Sequence, residues 1–341
     1  MQEKSDGRNR SGVTLLEVAD LAGVSLKTAS RALNDEKYVS VPTKARVVAA
    51  AQELGYHLNS TASQLRRGIS SGFVAFIAGD LANPFYSSLA KGIESEARLQ
   101  GMQMTLASSD EDPETEATLL QEFLSRNVEA IILVPTDTSH ERAEALQRER
   151  VPIVFVDRVP RGVTADSIVL DNQAGARAAV EHLIDVGHER IAFIGDYPRL
   201  QTHEERLAGY RDAVQRVPER FREVYVRSGL HDVPGARDAV RLLMELDEPP
   251  TAYFTSNNRV TVGATLAFRG VTSPPALVGF DDLDVFEHLG ITVMAHDPVE
   301  MGRAAARMAI ERSVALAGGR HSVVVETRLV ARGSGEIPPR D

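Results

Sequence analysis

Apolar and polar positions alternate with two different periods along this chain, and the change of period divides it. Up to about residue 55 the apolar residues recur at helical spacing. Leu15, Val18, Ala19 and Ala22 share one face, Ala29 and Leu33 another, and Val47, Ala50, Ala51 and Leu54 a third. Thr14 followed by Glu17 is a capping box that starts the first helix, and Gly23 ends it. Ser25 caps a second helix over 26–33, and Pro42 and Gly55 bracket a third. The second helix carries Lys27, Ser30, Arg31 and Asn34 on the side opposite its apolar residues, with no acid from Leu21 to Asn34. Two short helices around a tight glycine turn, the second with a basic and amide face, describe a helix-turn-helix. Asn59 can cap a further short helix carrying Ala62 and Leu65, followed by an Arg-, Gly- and Ser-rich linker.

From Phe73 onward, short apolar runs alternate with amphipathic stretches. The runs are 73–78, 104–107, 130–134 and 153–156, then 191–194, 224–226, 252–255 and 277–280. Strand, helix, strand at this interval predicts parallel sheets covered by helices, and two series predict two lobes. A late helix over 299–317 and a strand over 323–330 are expected to return and complete the lobes. The fold class is therefore α/β: a helix-turn-helix unit and a short helix or plain tether, followed by a two-lobed domain with parallel sheets.

Charge sharpens this division. The chain of 341 residues has a net charge of −10, but residues 1–70 carry ten Lys/Arg against seven Asp/Glu, leaving 28 against 41 for the remainder. A +3 segment beside a −13 body confines any attraction for a polyanion to the first part. There is no cysteine, so thiolate chemistry and disulfides are excluded. The polar start of the chain and the want of a long apolar stretch lead to the expectation of a cytoplasmic protein. Phosphate-loop, nucleophile-elbow and zinc-protease motifs are missing, and the nine histidines lack ligand spacing, so neither an enzyme nor a metal or cofactor site is expected.

The run V-T-L-L-E-V-A-D-L-A-G-V-S-L-K-T-A-S-R-A-L-N from Val13, then V-S-V-P-T-K-A-R-V, then L-G-Y-x-x-N-x-x-A-x-x-L ending at Leu65, closely resembles the DNA-binding headpiece and hinge of the LacI/GalR family of bacterial transcriptional regulators. The stretch 171–195 and R-L-A-G-Y at 206–210 resemble the family's effector domain, which is built like the periplasmic sugar-binding proteins. The resemblance implies an arm over 1–12, a headpiece over 13–58, a hinge helix and linker over 59–71, an effector and dimerisation domain over 72–331 and a tail over 332–341. It divides the lobes as about 72–169 plus 298–322 and about 170–297 plus 323–331.

The resemblance also places contacts with double-stranded, near-palindromic operator DNA at Thr14, Ser25, Leu26, Lys27, Thr28, Ser30, Arg31, Asn34, Asn59, Ala62 and Leu65. Leu26, Lys27 and Arg31 would read bases, and Leu65 would wedge into the minor groove. A small effector, carbohydrate-like, is expected between the lobes of each subunit of a homodimer. Strand ends supply its candidate contacts: Asn83, Phe85, Tyr86, Asp157, Arg158, Arg206, Asn257, Asn258 and Asp281. Ser108–Asp110, Thr136, Asp137, Asp196 and Asp282 stand at similar positions. Asn258 takes the place of the family's usual Asp, and His296 and Asp297 replace its usual pattern at a crossover between lobes. The alternative is a solute-binding protein without a DNA role, which leaves residues 13–65 without a purpose.

Overall fold

The computed structural model describes residues 13–34, 38–56, 72–136, 151–160, 164–218, 221–314 and 319–339. The arm over 1–12, the hinge residues Asn59, Ala62 and Leu65, and Asp137 lie outside them. The chain divides into two compact units, residues 1–69 and 70–341.

In the first unit, helices α1 (Leu15–Ala22), α2 (Leu26–Leu33) and α3 (Val41–Leu54) close on a core of Val18, Ala19, Ala22, Ala29, Ala32, Val47, Ala50 and Ala51. Small residues let three short helices approach closely. The ends are fixed as their residue types dictate. The Glu17 carboxylate accepts from Thr14 N–H at 2.7 Å while Thr14 Oγ1 accepts from Glu17 N–H, and Gly23 and Gly55 take left-handed conformations at the two C-caps.

The second unit holds two sheets of the same plan. Strands β1 (Phe73–Ala78), β2 (Gln103–Ser108), β3 (Ala130–Leu133), β4 (Ile153–Asp157) and β5 (Ser167–Leu170) are parallel in the order β5-β4-β3-β1-β2. Strands β6 (Ile191–Ile194), β7 (Val226–Arg227), β8 (Ala252–Thr255), β9 (Ala276–Phe280) and β10 (Thr292–Ala295) repeat it as β10-β9-β8-β6-β7. The central runs, such as β3, β6, β8 and β9, are buried throughout, as a sheet covered on both faces requires, while the edge strands β2 and β7 are partly exposed. Each sheet reverses its order beside its first strand, and that reversal opens a crevice beyond the carboxyl ends.

Two expectations are corrected. The single strand over 323–330 is two strands. β11 (Ser322–Val325) runs parallel to β5 in the first sheet, and β12 (Arg328–Val330) runs antiparallel to β10 in the second. Residues 323–325 thus belong to the first lobe, not the second. The run 224–226 is mostly a 3-10 turn over Glu223–Tyr225, leaving a strand of two residues. Residues 332–339 are docked on the second lobe. Ser334 Oγ donates to Leu277 O at 2.6 Å, and Glu336 accepts from Thr292 Oγ1 at 2.8 Å.

The helix pair α4 (Pro84–Leu99) and α11 (Pro298–Val314) covers the first sheet through two glycines. A Cβ at Gly92 would overlap Val299 O, and one at Gly302 would overlap Leu89 O, so the two backbones touch.

Candidate functional site

Most polar groups of the crevice follow a strand's carboxyl end, and the rest stand on one helix of the second lobe. From the first lobe come Asn83, Phe85 and Tyr86 after β1, Glu111 after β2, and Asp157 and Arg158 at the end of β4. From the second come Asp196 after β6, His231 after β7, Ser256 and Asn257 after β8, and Asp281 after β9, with His203 and Arg206 on the helix α7 (Gln201–Val214). Asp157 and Asp281 occupy equivalent places, each ending the fourth strand of its lobe, and both adopt left-handed backbone at φ 69° and 66°. Such strain in a non-glycine residue is held only where surrounding structure over-determines it, a habit of ligand sites.

Arg158 is the centre of the first lobe's wall and is 2 % exposed. Its Nη1 donates to Glu111 Oε2 at 2.8 Å and to Pro135 O at 3.1 Å, and its Nη2 to Glu111 Oε1 at 2.5 Å and Tyr86 OH at 2.7 Å. Nε points to Asp157 Oδ2 at 3.3 Å. Burial opposes its charge, but Tyr86, Glu111 and Asp157 outweigh that and keep it protonated. Burial pushes the Asp157 carboxyl up, against the pull of Arg158 and Arg206.

Arg206 is the second lobe's counterpart. Its guanidinium lies 3.8 Å from the Phe280 ring centroid, Nε donates to Asn172 Oδ1 at 2.8 Å, and Nη1 donates to Ser256 O. Nη2 stands 4.0 Å from Asp281 Oδ1. Nearby, His296 is packed edge-on to Phe85, with its Nδ1 3.9 Å from Asp281. Both of its nitrogens lack a hydrogen-bond partner among the described residues, and burial lowers its pKa, so the ring is neutral.

The lobes are tied across the crevice. Asn258 Nδ2 donates to Asn83 Oδ1 at 2.8 Å, Val159 N–H to Gln201 Oε1 at 2.7 Å, and Arg199 Nη2 to Glu111 O at 2.8 Å. His231 sits between Asp196 Oδ1 at 2.8 Å and Asp80 Oδ2 at 3.3 Å, and Arg259 also grips Asp80. These contacts leave a cavity of only about 30 Å³, room for about one water. A larger occupant needs the lobes to part.

Eight of the nine expected effector contacts therefore line one cavity. Asn258 lies beside it, with Nδ2 committed to Asn83 and Oδ1 without a partner among the described residues. Sequence reasoning missed Glu111, His203 and His231. For Glu111 and His231 the only signal was position just after a strand, which is weak when the strand is two residues long, and His203 stands on α7, away from any strand end. Thr136 is consumed structurally, its N–H and hydroxyl both on Glu116 Oε2.

On the headpiece, Leu26 and Lys27 are exposed at the start of α2, and Thr28, Ser30, Arg31 and Asn34 are half-buried along it. Ser25 Oγ accepts from Thr28 N–H at 3.2 Å, and Asn34 Nδ2 donates to Ser30 O at 2.7 Å, so both residues also hold the helix ends.

An N-terminal helix-turn-helix ahead of a two-lobed α/β domain with a polar interlobe cavity defines a ligand-responsive DNA-binding regulator. Comparison with known proteins agrees. The family model for bacterial regulatory proteins of the lacI family matches residues 14–59, and that for periplasmic binding proteins and the sugar-binding domain of the LacI family matches 71–315. Catabolite control protein A of Priestia megaterium is 31% identical over 306 residues, 87% of this chain and 91% of that one. The ribose operon repressor of Escherichia coli K12 is 30% identical over 88% of this chain and 92% of its own length. The lac repressor dimer bound to operator and the anti-inducer ONPF superposes with a TM-score of 0.81 at 25% identity, covering 95% of this chain and 99% of that one. The chain belongs to the LacI family, and it is a DNA-binding transcriptional regulator answering to a small molecule. No described helix is long and apolar enough to cross a membrane.

Proposed function

We propose that this regulator is a repressor that works as a homodimer in the cytoplasm, without enzymatic activity, and binds a near-palindromic operator through paired headpieces. Leu26 and Lys27, exposed where α2 begins, reach base edges in the major groove with Arg31 a turn behind. Thr14, Ser25, Thr28, Ser30 and Asn34 fix the register on phosphates. Asn59, Ala62 and Leu65 form the hinge, with Leu65 wedged into the minor groove. A carbohydrate-like effector sits among Asn83, Phe85, Tyr86, Asp157, Arg158, Arg206, Asn257, Asn258 and Asp281 and shifts the lobes, which shifts operator affinity.

The observation that carries this reading is the pairing of an exposed basic helix start with a cavity into which both lobes send buried polar groups, some of them unpartnered. The test is a mobility-shift assay on genomic fragments with and without a panel of sugars. Selective retention of a few fragments, altered by one sugar, is expected, and Leu65→Ala should lose that selectivity while keeping salt-sensitive binding to random DNA. A wild type with no preference for any duplex, with or without sugars, overturns it.

A further inference from the structure

An arginine at the wall of a binding cleft is ordinarily where an anion docks, because its planar fork matches phosphate and carboxylate. Here that fork is full. A guanidinium has five N–H donors, and Arg158 spends them on both Glu111 oxygens, Pro135 O, Tyr86 OH and Asp157. The partner that takes two of the five, Glu111, is 4 % exposed and belongs to the chain itself.

The fold goes out of its way to place that carboxylate. Asp110 and Glu111 are consecutive non-glycine residues in left-handed backbone, at φ 51° and 58°, a conformation that costs L-residues about 1–2 kcal/mol each. The turn is held by Glu111 N–H on Gly79 O at 2.9 Å, and by Arg199 of the opposite lobe on Glu111 O at 2.8 Å. A Cβ at residue 79 would overlap Glu111 Oε1 and crowd Tyr86 OH and Arg158 Nη2, so Gly79 leaves the space the cluster fills.

The rest of the lining is acidic as well. Glu111, Asp157, Asp196 and Asp281 face Arg158, Arg206 and His231. Among the described residues Arg206 Nη2 has no hydrogen-bond partner, and it faces the Asp281 carboxylate at 4.0 Å. A donor beside an acceptor at that spacing suits hydroxyl groups, which can accept from one and donate to the other.

We propose that Glu111 sets the charge of the effector. As the built-in counter-anion of Arg158 it reserves the cleft for an uncharged polyhydroxylated molecule and shuts out phosphorylated or carboxylated ones. This rests on the reading of the cleft as the effector site. A phosphate entering it would have to displace a bidentate carboxylate and sit among three more.

The test is a thermal-melt comparison on the full-length protein. The probes are D-ribose, D-glucose and D-fructose, each free and as its monophosphate ester, together with inorganic phosphate. Wild type should be unmoved by every ester and by phosphate. Glu111→Gln keeps the shape and removes the charge, so it should gain stabilisation by at least one ester, with affinity raised tenfold or more. The gain should vanish in Glu111→Gln/Arg158→Gln. Because Glu111→Gln leaves a buried cation short of a partner, Glu111→Ser, with room for phosphate in the carboxylate's place, is the second variant. The proposal is overturned if wild type binds an ester as well as its free sugar, if both folded single variants stay blind to all esters, or if the gain survives in the double variant. A wild type that binds an ester and changes operator affinity leaves the effector cleft standing and removes only the charge assignment.

Discussion

Replacing His231 by Asn removes a hydrogen bond to Asp196 within the second lobe together with a contact to Asp80 across the cleft, and the loss carries a pH signature. The imidazole stacks on Tyr197 at 4.7 Å between ring centroids, accompanied by Asp196, Asp80, Arg259 and Glu111. Its hydrogen bond to Asp196 outweighs burial and holds its pKa above the ordinary value. The folded state therefore binds this proton more tightly than the unfolded state. The stabilisation is complete below the unfolded pKa of about 6.5 and is lost as pH rises through the folded value. Near pH 6, His231→Asn removes a charge-assisted hydrogen bond, a loss of about 2 kcal/mol. In alkaline buffer, where the ring is neutral, the loss falls to about 1 kcal/mol. For a domain of this size these amount to drops in Tm of roughly 4–8 °C and 2–4 °C. His188, His203 and His296 act in the opposite sense. Burial lowers each of them, so their contribution falls away as pH drops below about 6.5, and only the difference between mutant and wild type reports His231. The contact with Asp80 crosses the cleft and contributes about 0.5–1 kcal/mol, with Arg259 still in place, so the closed population should change no more than about fivefold. Calorimetric melts of both proteins across this pH range decide it, and a cost that is flat or grows with pH refutes the argument.

Three other outcomes can be checked. Gly302→Ala should destabilise the first lobe by about 2–3 kcal/mol, read by denaturant midpoint, because the added methyl meets the backbone of α4 and no side chain can move aside. Thr14→Ala should cost the headpiece about 1 kcal/mol by removing the capping box, measured as lost helicity on heating. Lys27→Ala should alter which base is preferred at one operator position in a selection from random duplexes, whereas a uniform loss across sequences would make Lys27 a phosphate contact.

How much of this could be read from the chain depends on whether the controlling interaction was local. The headpiece was legible because Thr14, Glu17, Ser25, Gly23 and Gly55 act on backbone groups a few residues away. The buried strands were legible as apolar runs, but β5 and β10, each of four residues and beginning on a hydroxyl side chain, were not. Residues 323–330 look like one strand because nothing in V-V-V-E-T-R-L-V marks a change of sheet, and Glu326 and Thr327 merely carry the chain across. In the cleft, the Asp and Asn residues ending long strands were found by position. Glu111 and His231 escaped because their partners lie 47 and 35 residues away, and only the folded chain brings them together.

The three crossings between lobes lie side by side. Leu170 leaves the first sheet paired with Val325, and Ala295 leaves the second paired with Arg328, so the segments 170–172, 295–298 and 325–328 run as adjacent cords. One cord alone would let the halves swivel about any axis. Three tied through 325–328, which pairs with one of the others at each of its ends, resist twisting and shear, and yield most easily to a bend. A molecule that wedges the crevice apart is thereby converted into a tilt of one preferred direction.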